Sequence, residues 1–178
     1  MCAETWTHAD SVIGHFNIGK GHRANLNLAS DSRHFVVIEA KMSSRLSPGV
    51  RNAPFFNQAA RNIACIAEVL KRADRQASGF DALGFHVVAP ASRIQEGRFA
   101  KYLVKGHVRE IVAKRVAQYG GKKDTWFSEW FLPVLERLEI NEISWEGLIE
   151  YLESRNSDVG PLREFYRRCL KWNGVKGG

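Results

Sequence analysis

Near the start of the chain, apolar and polar positions alternate at the period of a strand; later they recur at the period of a helix. Residues 10–16 (DSVIGHF) predict a short strand, and residues 23–29 (RANLNLA) alternate as a half-buried strand does. The strongest strand is 34–42 (HFVVIEAKM), preceded by turn chemistry at Asp31 and Ser32. Together 23–29 and 34–42 predict a hairpin. Residues 43–54 (SSRLSPGVRNAP) read as a loop. Ile63, Ile66, Ala67 and Leu70 repeat at helical spacing and predict a helix over about 55–75. Residues 82–90 (ALGFHVVAP) predict another buried strand, stopped by Pro90. A helix over 92–119 follows, with Ser92 as N-cap, Gly106 as a candidate kink and Gly120-Gly121 as its end. Three more helices are predicted at about 125–138, 144–155 and 159–172. This order predicts an α/β fold, a mixed central sheet flanked by helices with a helical C-terminal tail. One domain is expected over 1–178, its core at about 8–120 and its helical subregion at about 121–178.

Composition narrows the class without naming a chemistry. The 178 residues suffice for one sizeable core. Hydrophobic residues at 44% and charged residues at 25% are ordinary for a globular protein. No stretch approaches the ~18 apolar residues of a membrane span. The opening MCAETWTHAD has neither the basic nor the apolar segment of a secretory leader. Three distant cysteines, Cys2, Cys65 and Cys169, have no C-x-x-C spacing and argue against a disulfide framework or a zinc site. A cytoplasmic protein is the expectation. Lys and Arg outnumber Asp and Glu by 26 to 19, and a formal charge of +7 suits an anionic partner.

The candidate chemistry lies at the end of the strongest strand. Side chains alternate along a strand, so Glu39 and Lys41 share a face with Phe35 and Val37. Burying a carboxylate costs several kcal/mol unless a cation compensates it. Lys41 offers part of that compensation, and a divalent metal would offer more. Another acid, Asp10, stands at a strand start. The helix after the loop carries Gln58, with Arg61 and Asn62 on the same helical face.

These residues resemble the PD-(D/E)xK nuclease superfamily, the restriction-endonuclease-like fold. Asp10 matches the first acid, Glu39 and Lys41 match the (D/E)-x-K, and Gln58 matches the glutamine of the following helix. The stretch VVIEAKMSSRLSPGVRNAPFFNQAARNIAC carries the likeness, which extends over about residues 8–90. Ala9 stands where the pattern has proline, and Glu4 is the sole acid before Asp10. The resemblance implies a metal-dependent nuclease acting on DNA, with RNA left open. It implies Mg²⁺ or Mn²⁺ held by Asp10, Glu39 and the Ala40 carbonyl oxygen. Lys41 would orient water or stabilise charge at phosphorus, and Gln58 would hold the water or a carboxylate. Lys20, Ser43, Ser44, Arg45, Arg51 and Arg61 are the candidate nucleic-acid contacts. A homodimer would suit two cuts in a duplex. The alternative is a catalytically inactive nucleic-acid-binding or assembly module on the same fold.

Other patterns carry less. Residues 14–20 (GHFNIGK) imitate a phosphate-binding loop, but Gly21 replaces the required Ser or Thr and a strand follows. Asp31 is a rival metal acid in a predicted turn. Arg98, Lys101, Lys105 and Arg109 form a basic stripe if the 92–119 helix is continuous, and a solvated helix face is the simpler reading. Trp126, Trp130, Trp145 and Trp172 read as core.

Overall fold

The computed structural model describes residues 8–19, 26–155 and 158–175. Strands β1 (Ser11–Gly14), β2 (Phe16–Ile18), β3 (Leu26–Leu28) and β4 (His34–Ala40) come first, then helix α1 (Gln58–Arg72) and strand β5 (Ala82–Ala89). Helices α2 (Ala91–Gln95), α3 (Ala100–Leu103), α4 (Lys105–Ala117), α5 (Asp124–Trp126) and α6 (Leu132–Arg137) lead to strand β6 (Glu139–Ser144). Helices α7 (Trp145–Ser154) and α8 (Gly160–Trp172) follow. The fold is α/β, a mixed sheet of order β1-β4-β5-β6 flanked by helices. β1 is antiparallel to β4, whereas β4, β5 and β6 run parallel. Among the described residues, no helix is long and apolar enough to cross a membrane.

The predicted hairpin of 23–29 with 34–42 does not form. β3 pairs with β2 in a separate ribbon, and β4 lies between β1 and β5. Burial explains the difference. Every residue of β4 after His34 is buried or half-buried, as a central strand requires, whereas β3 alternates and stays near the surface. The strand predicted over 10–16 also breaks, because Gly14 adopts φ +154° at the end of β1. A Cβ there would meet the His34 carbonyl oxygen at 2.4 Å.

One face of the sheet packs on α1 through Phe35, Val37, Phe85 and Val87 against Ile63, Ile66, Ala67 and Leu70, all buried. Asn57 caps α1 by accepting from the Ala60 N–H at 3.0 Å. At the other end of α1, Arg75 donates to the carbonyls of Ala29, Ser30 and Ser32 and staples the turn before β4.

The helix predicted over 92–119 is three helices. Gly97 at φ +67° breaks it first, and extended Val104 breaks it again. Ser92 is not the N-cap; Pro90 holds that position without a side-chain bond. The four-residue basic stripe therefore does not exist as one face. Lys101 lies over the Tyr102 ring, and Lys105 Nζ donates to the Glu136 carbonyl. Between α5 and α6 a π-helical turn at Phe127–Phe131 precedes Pro133, whose ring cannot fit a regular helix interior. Trp126 is buried and stacks on Phe131, but Trp172 is 85% exposed and is not core. Strand β6 was hidden in the sequence between two helical patterns.

Candidate active site

The site forms where the core face of β4 reaches the end of the strand. Phe35, Val37 and Glu39 alternate into the core and are 2%, 6% and 2% exposed. Hydrophobic burial of the first two carries the carboxylate in with them. Glu39 Oε1 accepts from Lys41 Nζ and from Gln58 Nε2, both at 2.6 Å. Asn62 Nδ2 approaches Oε2 at 3.4 Å, one helical turn beyond Gln58. The buried acid therefore has a cation and two amides around it, which offsets much of its desolvation.

Gln58 is clamped from both sides. Its side-chain oxygen accepts from the Ser47 N–H at 3.1 Å, and its own N–H donates to the Ser47 carbonyl at 2.9 Å. With the oxygen held by Ser47, the NH₂ must face Glu39. The loop that brings Ser47 here folds tightly at Gly49, where a Cβ would meet the Pro54 carbonyl oxygen at 2.1 Å.

Asp10 arrives from the other edge of β4. Its Oδ2 accepts from the Ala40 N–H at 2.8 Å, and its carboxylate is otherwise exposed. The Lys41 N–H donates to the Val88 carbonyl at 2.8 Å, so backbone groups at 41 face β5. Alternation turns the Ala40 N–H and C=O to the opposite edge, toward Asp10. Asp10, Glu39, Ala40, Lys41 and Gln58 are thus brought together.

Burial pushes the Glu39 carboxyl above its ordinary range. The Lys41 hydrogen bond and charge pull it back in part, and the Asp10 carboxylate pushes it up again. A buried carboxylate that a neighbouring acid drives further up marks a place where a cation is favoured. Among the described residues no three His, Cys, Asp or Glu side chains converge. A metal here would rest on two carboxylates and one carbonyl, with water and substrate oxygens completing the shell. That all-oxygen, half-open set suits Mg²⁺ or Mn²⁺ rather than zinc.

The nucleic-acid candidates separate. Ser43, Ser44 and Arg45 are exposed in the loop leaving the site, and Arg51 is exposed at the turn further along it. Arg61 is not a surface contact. It is 8% exposed, and its guanidinium donates to the Phe56 carbonyl at 2.7 Å, satisfying backbone beside the α1 N-terminus. Lys20 and Glu4 lie outside the described residues. Asp31 sits before β4, at the strand's other end, and pairs with His15 at 2.9 Å. The sequence places Asn62 on the right helical face without this role, offers Ser47 only as a loop serine that could contact phosphate, and does not single out Asn57. Asn followed by a helical run was the available sign for Asn57. Ser47 acts through its backbone, which no residue pattern reveals.

No protein-family model matches the chain, and no curated protein or solved structure matches it.

Proposed function

We propose that this protein is a metal-dependent phosphodiester hydrolase of the PD-(D/E)xK kind, acting on DNA. The observation that carries the reading is the convergence of Asp10, buried Glu39 and the Ala40 edge at the end of β4. Lys41 and Gln58 share one oxygen of that buried carboxylate. A purely structural Glu–Lys pair would not need a second acid drawn to the same strand end.

Asp10 and Glu39 would hold Mg²⁺ or Mn²⁺ together with the Ala40 carbonyl oxygen. The ion would supply Lewis-acid polarisation of the phosphate and a more acidic attacking water. Lys41, 12% exposed and fixed by Glu39, presents N–H donors to charge developing on the phosphoryl oxygens. Gln58 and Asn62 keep the Glu39 carboxylate in one orientation, as groups behind a metal ligand do. The overall charge of +7 favours approach of a polyanion.

The test is cleavage of plasmid, linear and single-stranded DNA in Mg²⁺, Mn²⁺ or EDTA. The wild type should cut only with metal. Glu39→Ala should abolish cutting, and Lys41→Ala should slow it by about 10²–10³-fold, the scale of losing one charge-stabilising donor. Metal-dependent cutting that survives in both variants sinks the assignment.

A further inference from the structure

We propose that Arg93 and Arg98 form a phosphate clamp that holds a nucleic-acid strand beside Lys41; the proposal rests on the reading above and names its substrate-binding side. Because β4, β5 and β6 are parallel, the chain leaves all three at one edge of the sheet. The loop after β4 carries Lys41 and Ser43. α2 begins directly after β5, and α2 with its following turn carries Arg93 and Arg98. A hydrogen bond joins the two segments: Arg98 Nη1 donates to the Ser43 carbonyl at 3.0 Å, two residues beyond Lys41.

Glu96 orients both arginines. Arg93 Nη1 donates to its two carboxylate oxygens at 3.0 and 3.2 Å, and Arg98 Nε donates to Oε2. The hydrogen bond from Arg98 holds the Glu96 carboxyl below its ordinary range, so it stays an anion. Two cations on one anion leave a net positive charge. Each guanidinium has five N–H donors, far more than one carboxylate and one carbonyl can take. Arg93 Nε is buried and has no partner among the described residues. Both side chains are largely covered, 17% and 25% exposed, so the charge is not simply dispersed into solvent. Their shared partner Glu96 is 44% exposed, and ion pairs that open to solvent add little stability, about 0–1 kcal/mol, so fold stability alone gives a weak reason for this triad. Guanidinium forks with unused donors match the oxygens of a phosphodiester, which accept them two at a time. The clamp would grip a phosphate next to the one being cut and set the strand across Lys41.

The test is binding of a fluorescein-labelled DNA duplex and single strand in EDTA across a salt series, with cleavage in Mg²⁺ read in parallel. Arg98→Ala and Arg93→Ala are compared with Lys71→Ala, an equal charge loss at the far end of α1, about 20 Å along the helix from Gln58. Arg98→Ala should lower the slope of log K against log salt by about one, the loss of one phosphate contact. Lys71→Ala should leave the slope unchanged. Excess unlabelled DNA should displace the probe, and inorganic phosphate at the same phosphate concentration should not. A folded Arg98→Ala protein that binds like Lys71→Ala overturns the clamp, as does displacement by inorganic phosphate. If Arg98→Ala does not fold, Arg98→Gln is judged by the same slope. Arginine-dependent binding without cleavage in any metal would leave the clamp standing and sink the hydrolase reading. Cleavage with unchanged slopes would do the reverse.

Discussion

Glu39 and Glu142 occupy one row of the sheet. Glu39 pairs with Val87, and Val87 pairs with Glu142, so both acids leave the same face with one valine between them. Their surroundings differ. Glu39 has Lys41, Gln58, Asn62 and the neighbouring Asp10. Glu142 has a buried Oε1 with no hydrogen-bond partner among the described residues. Burial pushes the Glu142 carboxyl above its ordinary range, and among the described residues no cation pulls it back. The same residue type, row and face therefore do not give the same surroundings. What distinguishes Glu39 is the loop after β4, which curls back to place Lys41 and Gln58 on it.

The largest test of that contrast is a matched pair of substitutions. Glu39→Gln should remove metal-dependent cleavage below detection, whereas Glu142→Gln should leave the rate within a few-fold. Loss of cleavage in Glu142→Gln, with the protein folded, would break the comparison and bring β6 into the catalytic machinery. The next effect concerns orientation. Gln58→Ala should lower activity about 10–100-fold, mainly through weaker metal affinity, the scale seen for groups that hold a metal ligand in place. Titration of Mn²⁺ against cleavage rate separates that loss from a defect in chemistry.

The smallest effect is on stability and has a definite sign. A carboxyl whose folded pKa is raised imposes no penalty while protonated and destabilises the fold as pH rises through that value. Glu142→Gln should melt closer to the wild type at pH 4 than at pH 8, where it should melt higher. Glu39→Gln should show less of this gain, because it leaves Lys41 without its counter-charge. Thermal melts of the three proteins at both pH values decide it. An equal gain in both variants would mean that Lys41 does not compensate Glu39.

Much of the candidate site was legible because it is local. Glu39 and Lys41 share a face by strand alternation, and Gln58 and Asn62 share one by helical spacing. The core of α1 was legible for the same reason. Arg61 was misjudged because side-chain type was taken for surface position, while a buried carbonyl at Phe56 required a donor. The partner of β4 was misjudged because proximity in sequence favours a hairpin. Burial on both faces instead placed β4 between β1 and β5, leaving β3 to pair with β2. β6 was missed because Glu139, Asn141 and Glu142 break its apolar pattern, and pairing with β5 supplies the backbone bonds that its side chains do not predict.

By itself the sequence determined the alternating strand that ends in Glu-Ala-Lys, the amphipathic helix that follows, and the excess of positive charge. These depend on side-chain period and count, which are properties of neighbours in the chain. Only the tertiary structure decided that Asp10 reaches the Ala40 N–H, that Ser47 locks Gln58, and that Arg98 joins the turn after α2 to the loop after Lys41. Each of those contacts joins segments whose meeting depends on strand order and loop closure, set by burial of the whole core rather than by any local pattern.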